Sequence, residues 1–278
     1  MRVTFQGERG AFSEEAARRL LGERIELVPS ASFEEAFRRL HRGDVHAGVV
    51  PIENTLAGSV YENYDLLLRY RLPIVGEARV RIVHNLMAAP GVKFQRLRRV
   101  FSHPVALGQC RRFFRQNRQL QAVPFYDTAG SVKMLMEQRP PDAAAIAAGA
   151  AARIYGARIL RRGIEDDKQN YTRFFLLVRS GRGLPLLRRL GSPDKTSIVF
   201  ATENVPGALF KCLGVFALRD INLTKIESRP VHGRPWEYFF YLDFIGDPTE
   251  PRCRNALRHL AELTDFLRVL GSYPRARD

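Results

Sequence analysis

The chain has 278 residues, 45% hydrophobic and 26% charged, with a formal net charge of +15. That length and balance exclude a disordered or collagen-like chain and allow two domains with cores that need no disulfide or metal staple. Only six of the 44 basic residues are lysine, and the arginines fall mostly in scattered pairs (Arg18-Arg19, Arg38-Arg39, Arg98-Arg99, Arg111-Arg112, Arg161-Arg162, Arg188-Arg189), so the charge reads as solvated surface, with no nucleic-acid-binding block.

Arg2 to Phe5 is a predicted strand and Gly7 to Gly10 a turn. Ser13 is a suitable N-cap for a helix to about Leu20, with Glu14 and Glu15 at the positive end of its dipole. A strand at Ile25 to Val28 leads to a helix at Phe33 to Leu40, whose Phe33, Ala36, Phe37 and Leu40 recur at spacings of three and four. Ala47 to Ile52 is a short strand of the buried type. This β-α-β-α-β order argues an α/β layer fold. From Pro73 the chain changes lobe, with strand material running through Arg79 to Met87 and again at Val100-Phe101. A helix is predicted from Pro104 to Arg115, a strand at Gln121 to Pro124, a helix from Thr128 to Glu137, and a strand then a small-residue helix over Ala143 to Ala152. Tyr171 to Val178 is a strand returning to the first lobe, and two lobes joined by crossing connections imply a ligand cleft. Ser180 to Asp194, with glycine and proline at both ends, looks like a linker. Beyond it follow a strand at Thr196 to Thr202, a helix from Pro206 as first-turn proline to Leu218, and strands at Leu223 to Glu227 and Tyr238 to Phe244 joined by a turn at His232-Gly233. A helix from Pro251 to Phe266 and a last strand from Leu267 complete a ferredoxin-like β-α-β-β-α-β unit.

Cys110, Cys212 and Cys253 make no CxxC pair, and neither a disulfide framework nor a zinc knuckle is implied. The first eight residues carry charges where a signal peptide needs an apolar run, and Ala143 to Ala152 is too short to span a bilayer, so a cytoplasmic location with no membrane partner is expected. Phosphate-loop, dinucleotide, serine-hydrolase and zinc-protease signatures are absent, and His41 and His46 read as surface histidines. The site therefore has to be built from hydroxyls, amides and arginines. Three polar clusters lie at predicted strand ends, where α/β clefts bind ligands: Gly10 to Ser13, Pro51 to Thr55 with Gly58-Ser59, and Asn170 to Phe174.

Pro51-Ile52-Glu53-Asn54-Thr55-Leu56-Ala57-Gly58-Ser59-Val60, followed by Asp65-Leu66-Leu67, resembles the signature of prephenate dehydratases. So does Ile164-Glu165-Asp166 leading into Asn170-Tyr171-Thr172-Arg173-Phe174. Gly7 to Ala17, Ser102-His103-Pro104 through Cys110, Asp127-Thr128-Ala129, and Ala144 to Ala147 through Tyr155-Gly156 match in order and spacing. The C-terminal unit resembles the ACT domain of these enzymes, with Gly207-Ala208-Leu209-Phe210 and Glu227-Ser228-Arg229-Pro230 as its two regulatory signatures. Glu8, Ala11 and Val105 depart from the family's usual proline, threonine and glutamine, and Ala11 puts a hydroxyl contact from that position in doubt.

The resemblance implies a two-lobed, periplasmic-binding-protein-like catalytic domain over 1–180 (lobe 1: 1–73 and 171–180; lobe 2: 74–170), a linker over 181–194 and an ACT regulatory domain over 195–275. It implies cofactor-free and metal-free loss of carbon dioxide and water from prephenate, a small dianion that the basic field would help to collect. By resemblance Thr172 assists the departing hydroxyl, as a hydrogen-bond donor or relay more plausibly than as a free-standing acid. Arg173 either forks onto a substrate carboxylate or braces the cleft through Glu53. Phe174 is apolar wall or core, and Ser13, Glu53, Asn54, Thr55, Ser102, Thr128 and Asn170 are candidate substrate contacts. Phenylalanine is the implied effector, framed by Asn204, Gly207, Ala208, Leu209, Glu227, Ser228, Arg229 and Pro230 in a homo-oligomer paired through ACT domains. Gly207 would admit close backbone approach to the ligand, or simply ease a turn. An arogenate dehydratase, running the same chemistry on the amino-acid analogue, is the first rival. A non-catalytic amino-acid sensor is the second, and a nucleic-acid binder ranks last.

Overall fold

The computed structural model describes residues 1–179, 181, 186, 190–231, 233 and 236–276. Most of the expected linker, and His232 of the expected turn, lie outside the described residues. The chain divides into two compact units, Met1–Asn63 with Arg79–Phe174, and Tyr64–Ala78 with Phe175–Asp278.

The first sheet is built from β1 (Arg2–Gln6), β2 (Glu26–Ser30), β3 (Ala47–Asn54), β4 (Gly58–Ser59), β5 (Ile74–Arg81) and β11 (Tyr171–Val178), in the order β2-β1-β3-β11-β5 with β4 paired to β3. β1 pairs in parallel with both β2 and β3, with α1 (Phe12–Leu21) and α2 (Phe33–Arg42) as the connecting helices that parallel neighbours need. α2 starts where Ser32 accepts from the Glu35 amide at 3.1 Å and Glu35 accepts from the Ala31 amide at 2.8 Å, and it stops at Gly43, φ 86°. α1 begins differently from the sequence expectation. Its N-cap is Ala11, which offers no side-chain acceptor, and Ser13 is buried inside the first turn.

The second sheet, β10-β6-β9-β7-β8, comprises β6 (Asn85–Ala88), β7 (Arg99–Ser102), β8 (Gln121–Pro124), β9 (Ala143–Ala147) and β10 (Arg158–Arg161). β5 belongs to the first sheet, so the crossing to the second sheet comes after Arg81 and not at residue 74. The expected continuous strand from 79 to 87 is accordingly two pieces. α6 (Thr128–Gln138) and α7 (Gly149–Tyr155) cover one face of this sheet, and Phe5 and Ala11 join their apolar cluster with Met87, Val132 and Leu135. Each large apolar side chain so buried contributes about 1.5–3 kcal/mol. Gly10, at φ +86°, allows the tight approach of the two layers, since a Cβ there would lie 2.7 Å from Ala151 Cα.

The helix expected over 104–115 is split into α4 (Pro104–Gly108) and α5 (Arg111–Gln116). Asp166 causes the break. Its carboxylate accepts from the Arg111 and Arg112 amides at 2.9 and 2.8 Å, starting a fresh helix, while its own amide donates to the Gln109 carbonyl at 2.7 Å.

The second unit contains α3 (Tyr61–Tyr70) from Tyr64 onward and the sheet β13-β14-β12-β15, formed by β12 (Lys195–Ala201), β13 (Leu223–Pro230), β14 (Tyr238–Ile245) and β15 (Phe266–Tyr273). The pairs β12–β14, β12–β15 and β13–β14 are all antiparallel. α8 (Ala208–Ala217) and α9 (Pro251–Glu262) pack Cys212, Val215, Phe216, Cys253, Ala256 and Leu260 onto Ile198, Phe200, Leu242 and Phe244. Gly207 is the N-cap of α8, so Pro206 precedes the helix, and α9 ends earlier than 266 because Phe266 is already in β15. α3, β4 and β10 were not anticipated from periodicity.

Lys195 is buried in this unit, 2.9 Å from Glu77 Oε2 and 3.8 Å from Asp243 Oδ2, with Ser197 donating to Asp243 at 2.5 Å. Removing the cation would leave two carboxylates in a dry site. Lys195→Met should therefore cost about 3–5 kcal/mol, read as a lowered urea midpoint, whereas an unchanged midpoint would mean the carboxylates are relieved by water.

Candidate active site

A cavity of about 430 Å³ opens within the first unit. All three strand-end clusters reach it: Ala11, Phe12 and Ser13 from the start of α1, Pro51, Asn54, Gly58 and Ser59 from β3 and β4, and Thr172 and Phe174 from β11. Opposite them lie His84, His103, Val105, Gln109, Tyr126, Asp127 and Thr128. Among the described lining residues there is no lysine or arginine.

A chain of amides holds one wall. Asn54 Oδ1 accepts from the backbone amides of Leu56 and Ala57 at 3.0 and 2.8 Å, which fixes the side chain's orientation. Its Nδ2 therefore faces Asn170 Oδ1 at 2.7 Å and Thr172 Oγ1 at 2.9 Å. Gln109 Nε2 donates to Asn54 Oδ1 at 3.2 Å, and Gln109 Oε1 accepts from Asn170 Nδ2 at 2.9 Å. The Thr172 hydroxyl, 8% exposed, thus accepts from Asn54 and keeps its own proton for the cavity.

The predicted residues separate into those that line the cavity and those that build it. Ser13, Asn54, Thr128, Thr172 and Phe174 line it, and Asn170 is fully buried behind it in the amide chain. Strand alternation puts Thr172 and Phe174 on one face of β11 and Arg173 on the other. Arg173 lies 3.3 Å from Glu53, the contact the bracing alternative requires, and neither is among the lining residues. Thr55 and Ser102 are likewise outside the lining and engaged with backbone. The Thr55 hydroxyl ties the start of β11, donating to Gln169 O at 2.9 Å and accepting from Tyr171 N at 3.0 Å. Ser102 is fully buried and donates to Ile146 O at 2.6 Å. Sequence reasoning did not single out Gln109, His84, His103 or Asp127 as site residues. Gln109, His103 and Asp127 fell inside quoted motifs, but His84 carried no local signal at all.

Asp127 caps α6, accepting from the Gly130 amide at 2.7 Å. Burial pushes its carboxyl above the ordinary range, opposed by the Gly130 and Glu8 amides. Burial likewise lowers His103, with Asp127 acting against it. Tyr126 donates to Glu8 at 3.2 Å, and its phenol is pushed up to about 12 by burial and then by Glu8. No group of three or more His, Cys, Asp or Glu among the described residues is placed to hold a metal ion.

In the second unit the two regulatory signatures lie at the same end of the sheet. Ala201, before the Asn204 to Leu209 loop, and Arg229 both pair with Phe239 of β14, which separates them. Gly207 has φ 78° and a Cβ there would meet nothing within 4 Å, so the glycine serves the left-handed turn. Arg229 pairs with Asp65 at 2.8 Å, while Ser228 and Pro230 are exposed on the other face of β13.

The sequence model described as prephenate dehydratase matches residues 3–182, and the one described as ACT domain matches residues 196–261. The chain belongs to the prephenate dehydratase family. A family relative from Arabidopsis thaliana, arogenate dehydratase/prephenate dehydratase 2, chloroplastic, is 47% identical over 284 residues, covering 99% of this chain and 73% of its own. The solved prephenate dehydratase of Arthrobacter aurescens in complex with L-Phe superposes with TM-score 0.87 at 34% identity, covering 100% of this chain and 90% of that one. A solved structure described as GqqA, a novel type of quorum-quenching acylase, gives TM-score 0.88 at 33% identity, covering 99% and 98%. The expectation of a cytoplasmic location does not stand, because a relative this similar is chloroplastic. Charges near Met1 describe only those residues. No helix among the described residues is long and apolar enough to cross a membrane.

The raised Asp127 carboxyl has a consequence for stability. A folded-state value above the unfolded one favours folding below the ordinary aspartate range, and that contribution is lost as pH rises through the folded value. Asp127→Asn keeps a capping side chain without the charge. The variant should be more stable than wild type at neutral pH, with the gain vanishing as pH falls below the ordinary aspartate value. Urea midpoints across pH check this, and a gain that persists in acid would contradict it.

Proposed function

We propose that the chain is a carbon-oxygen lyase that removes carbon dioxide and the ring hydroxyl from prephenate to give phenylpyruvate, or from arogenate to give phenylalanine. The observation that carries the reading is the Thr172 hydroxyl, held by Asn54 with its proton available to the cavity. In the reaction the ring carboxylate's C–C electron pair moves into the ring, carbon dioxide leaves, and the C–O bond breaks toward the departing hydroxide. A dianion thus yields phenylpyruvate, carbon dioxide and hydroxide, and aromatisation drives the step. Threonine is too weak an acid to protonate the leaving group outright, but a preset donor stabilises the charge as it develops. The first-turn amides of α1, whose Ala11 cap has no side-chain acceptor, suit the side-chain carboxylate of the substrate. The leaving carboxylate is better left without a strong clamp, since holding it would stabilise the ground state. Thr172→Ala should lower kcat by about 100-fold or more, with Thr172→Ser retaining part of it, measured as phenylpyruvate or phenylalanine formation. Wild type inert on both substrates would sink the reading.

Residues 1–180 are taken as catalytic and 195–275 as regulatory, with phenylalanine as effector. In support, β14 keeps the Gly207 loop and Glu227 to Pro230 apart within one chain, and β13 is an edge strand with Ile226 45% exposed. A second copy paired along that edge would complete the site in a homo-oligomer. Ile226→Lys should lower the sedimenting mass and weaken the phenylalanine response together. An unchanged mass in the variant, or a monomeric wild type, would remove the oligomer from the reading.

A further inference from the structure

α3 crosses from the first unit into the second, the division falling between Asn63 and Tyr64. Its start belongs to the cavity wall. Gly58, Ser59 and Val60, which run straight into Tyr61, all line the cavity. Val60 N donates to Ile52 O at 2.9 Å and Asn63 N donates to Val60 O at 3.1 Å. The fully buried Asn63 side chain donates to Pro51 O at 2.7 Å. The first turn of α3 is thus pinned to β3, on the strand that carries Asn54.

The rest of α3 is held by the sheet of the second unit. Phe240, Leu242 and Phe244 of β14 pack toward α8 and α9, so alternation sends Tyr241 to the opposite face. There its hydroxyl donates to Tyr64 O at 3.0 Å, with the two rings 4.6 Å apart, and Arg268 of β15 donates to Leu68 O at 3.0 Å. Arg229 pairs with Asp65 at 2.8 Å. Lys225 lies 5.9 Å from the centre of the Tyr64 ring and pairs with Glu227 at 3.3 Å. The second regulatory signature therefore has two sides: Glu227 and Arg229 share the face that meets α3, and Ser228 and Pro230 are exposed on the other. Adjacent residues of one strand move together, so whatever displaces β13 from the Ser228 side also displaces Arg229.

We propose that α3 carries the effector response to the cavity, with Arg229 and Asp65 as its clasp. A ligand at the regulatory signature alters the hold on Asp65, α3 shifts, and Val60 and the Asn54 turn shift with its first turn. The inference rests on the phenylalanine reading above and names the element that both sites bias. Asp65, Tyr241 and Asn63 are then positioning residues that touch neither substrate nor effector.

The test uses the full chain as wild type, Asp65→Asn, Asp65→Glu and the double variant Asp65→Asn/Tyr241→Phe. Rates are read without and with saturating phenylalanine, and phenylalanine binding is read by calorimetry without substrate. Saturation separates the size of the response from the affinity. Each variant should bind phenylalanine with Kd within about threefold of wild type, because the Ser228 face is untouched. The ratio of rates with and without phenylalanine should move toward one by about threefold in Asp65→Asn, the worth of a half-exposed ion pair. It should move further in the double variant and stay nearest wild type in Asp65→Glu, which keeps the charge. A merely structural role would lower the basal rate or the urea midpoint and leave the ratio alone. An unmoved ratio in Asp65→Asn therefore overturns the inference, and that variant decides if the double one does not fold. Loss of phenylalanine binding in Asp65→Asn also overturns it, since Asp65 would then belong to the effector site. A wild type that binds phenylalanine with no change in rate overturns the inference alone, and one that does not bind it removes the effector reading as well.

Discussion

Two backbone amides, Leu56 and Ala57, point at one side-chain oxygen, Asn54 Oδ1, and the chemistry of the cavity follows from that contact. An asparagine amide could otherwise sit either way round, with donor and acceptor exchanged. Fixing it hands a donor to Thr172, an acceptor to Gln109, and through Gln109 a defined tautomer to His84. A neutral network of this kind keeps its polarity only when every member is oriented by its neighbours. The turn after β3, from Asn54 to Gly58, is therefore part of what orients the cavity's polar groups.

The same logic separates neighbours that look alike in the sequence. Thr172 and Arg173 are adjacent, yet alternation along β11 sends one to the cavity and the other to Glu53. Asp166 likewise acts at a distance. By starting α5 afresh it breaks the helix at Gln109, whose side chain joins the amide chain. The cavity is thus assembled mainly from neutral groups and helix starts, with Asp127 as the one carboxyl among its described lining residues, kept against the cost of burial. Retaining a group that burial disfavours is the usual trade of stability for function.

The second unit follows a different plan. Its four antiparallel strands and two helices bury one face of the sheet in an apolar cluster, and its dry ionic site around Lys195 depends on each charge having a partner. The regulatory signatures share one end of the sheet and are kept apart by a strand.

Much of this was legible in the sequence. Period-two and period-3.6 patterns located most strands and helices, because burial of one face imposes those periods locally. The motif strings named the clusters at the strand ends, and all three meet at the cavity. The ordering of layers was less accessible: β5 joined the first sheet, and α3, β4 and β10 were missed, since pairing partners are chosen by the whole fold. The partners of Arg173, Thr55 and Ser102, and the placement of Gln109 and His84 at the cavity, were visible only in three dimensions. Each depends on a hydrogen bond or ion pair between residues distant in the chain, with Gln109 and Asn170 61 positions apart and Asn54 and Thr172 118. The sequence determined which residues stand at the strand ends, because periodicity is local. The tertiary structure decided which way their donors and acceptors face, because orientation is set by partners that only folding brings together.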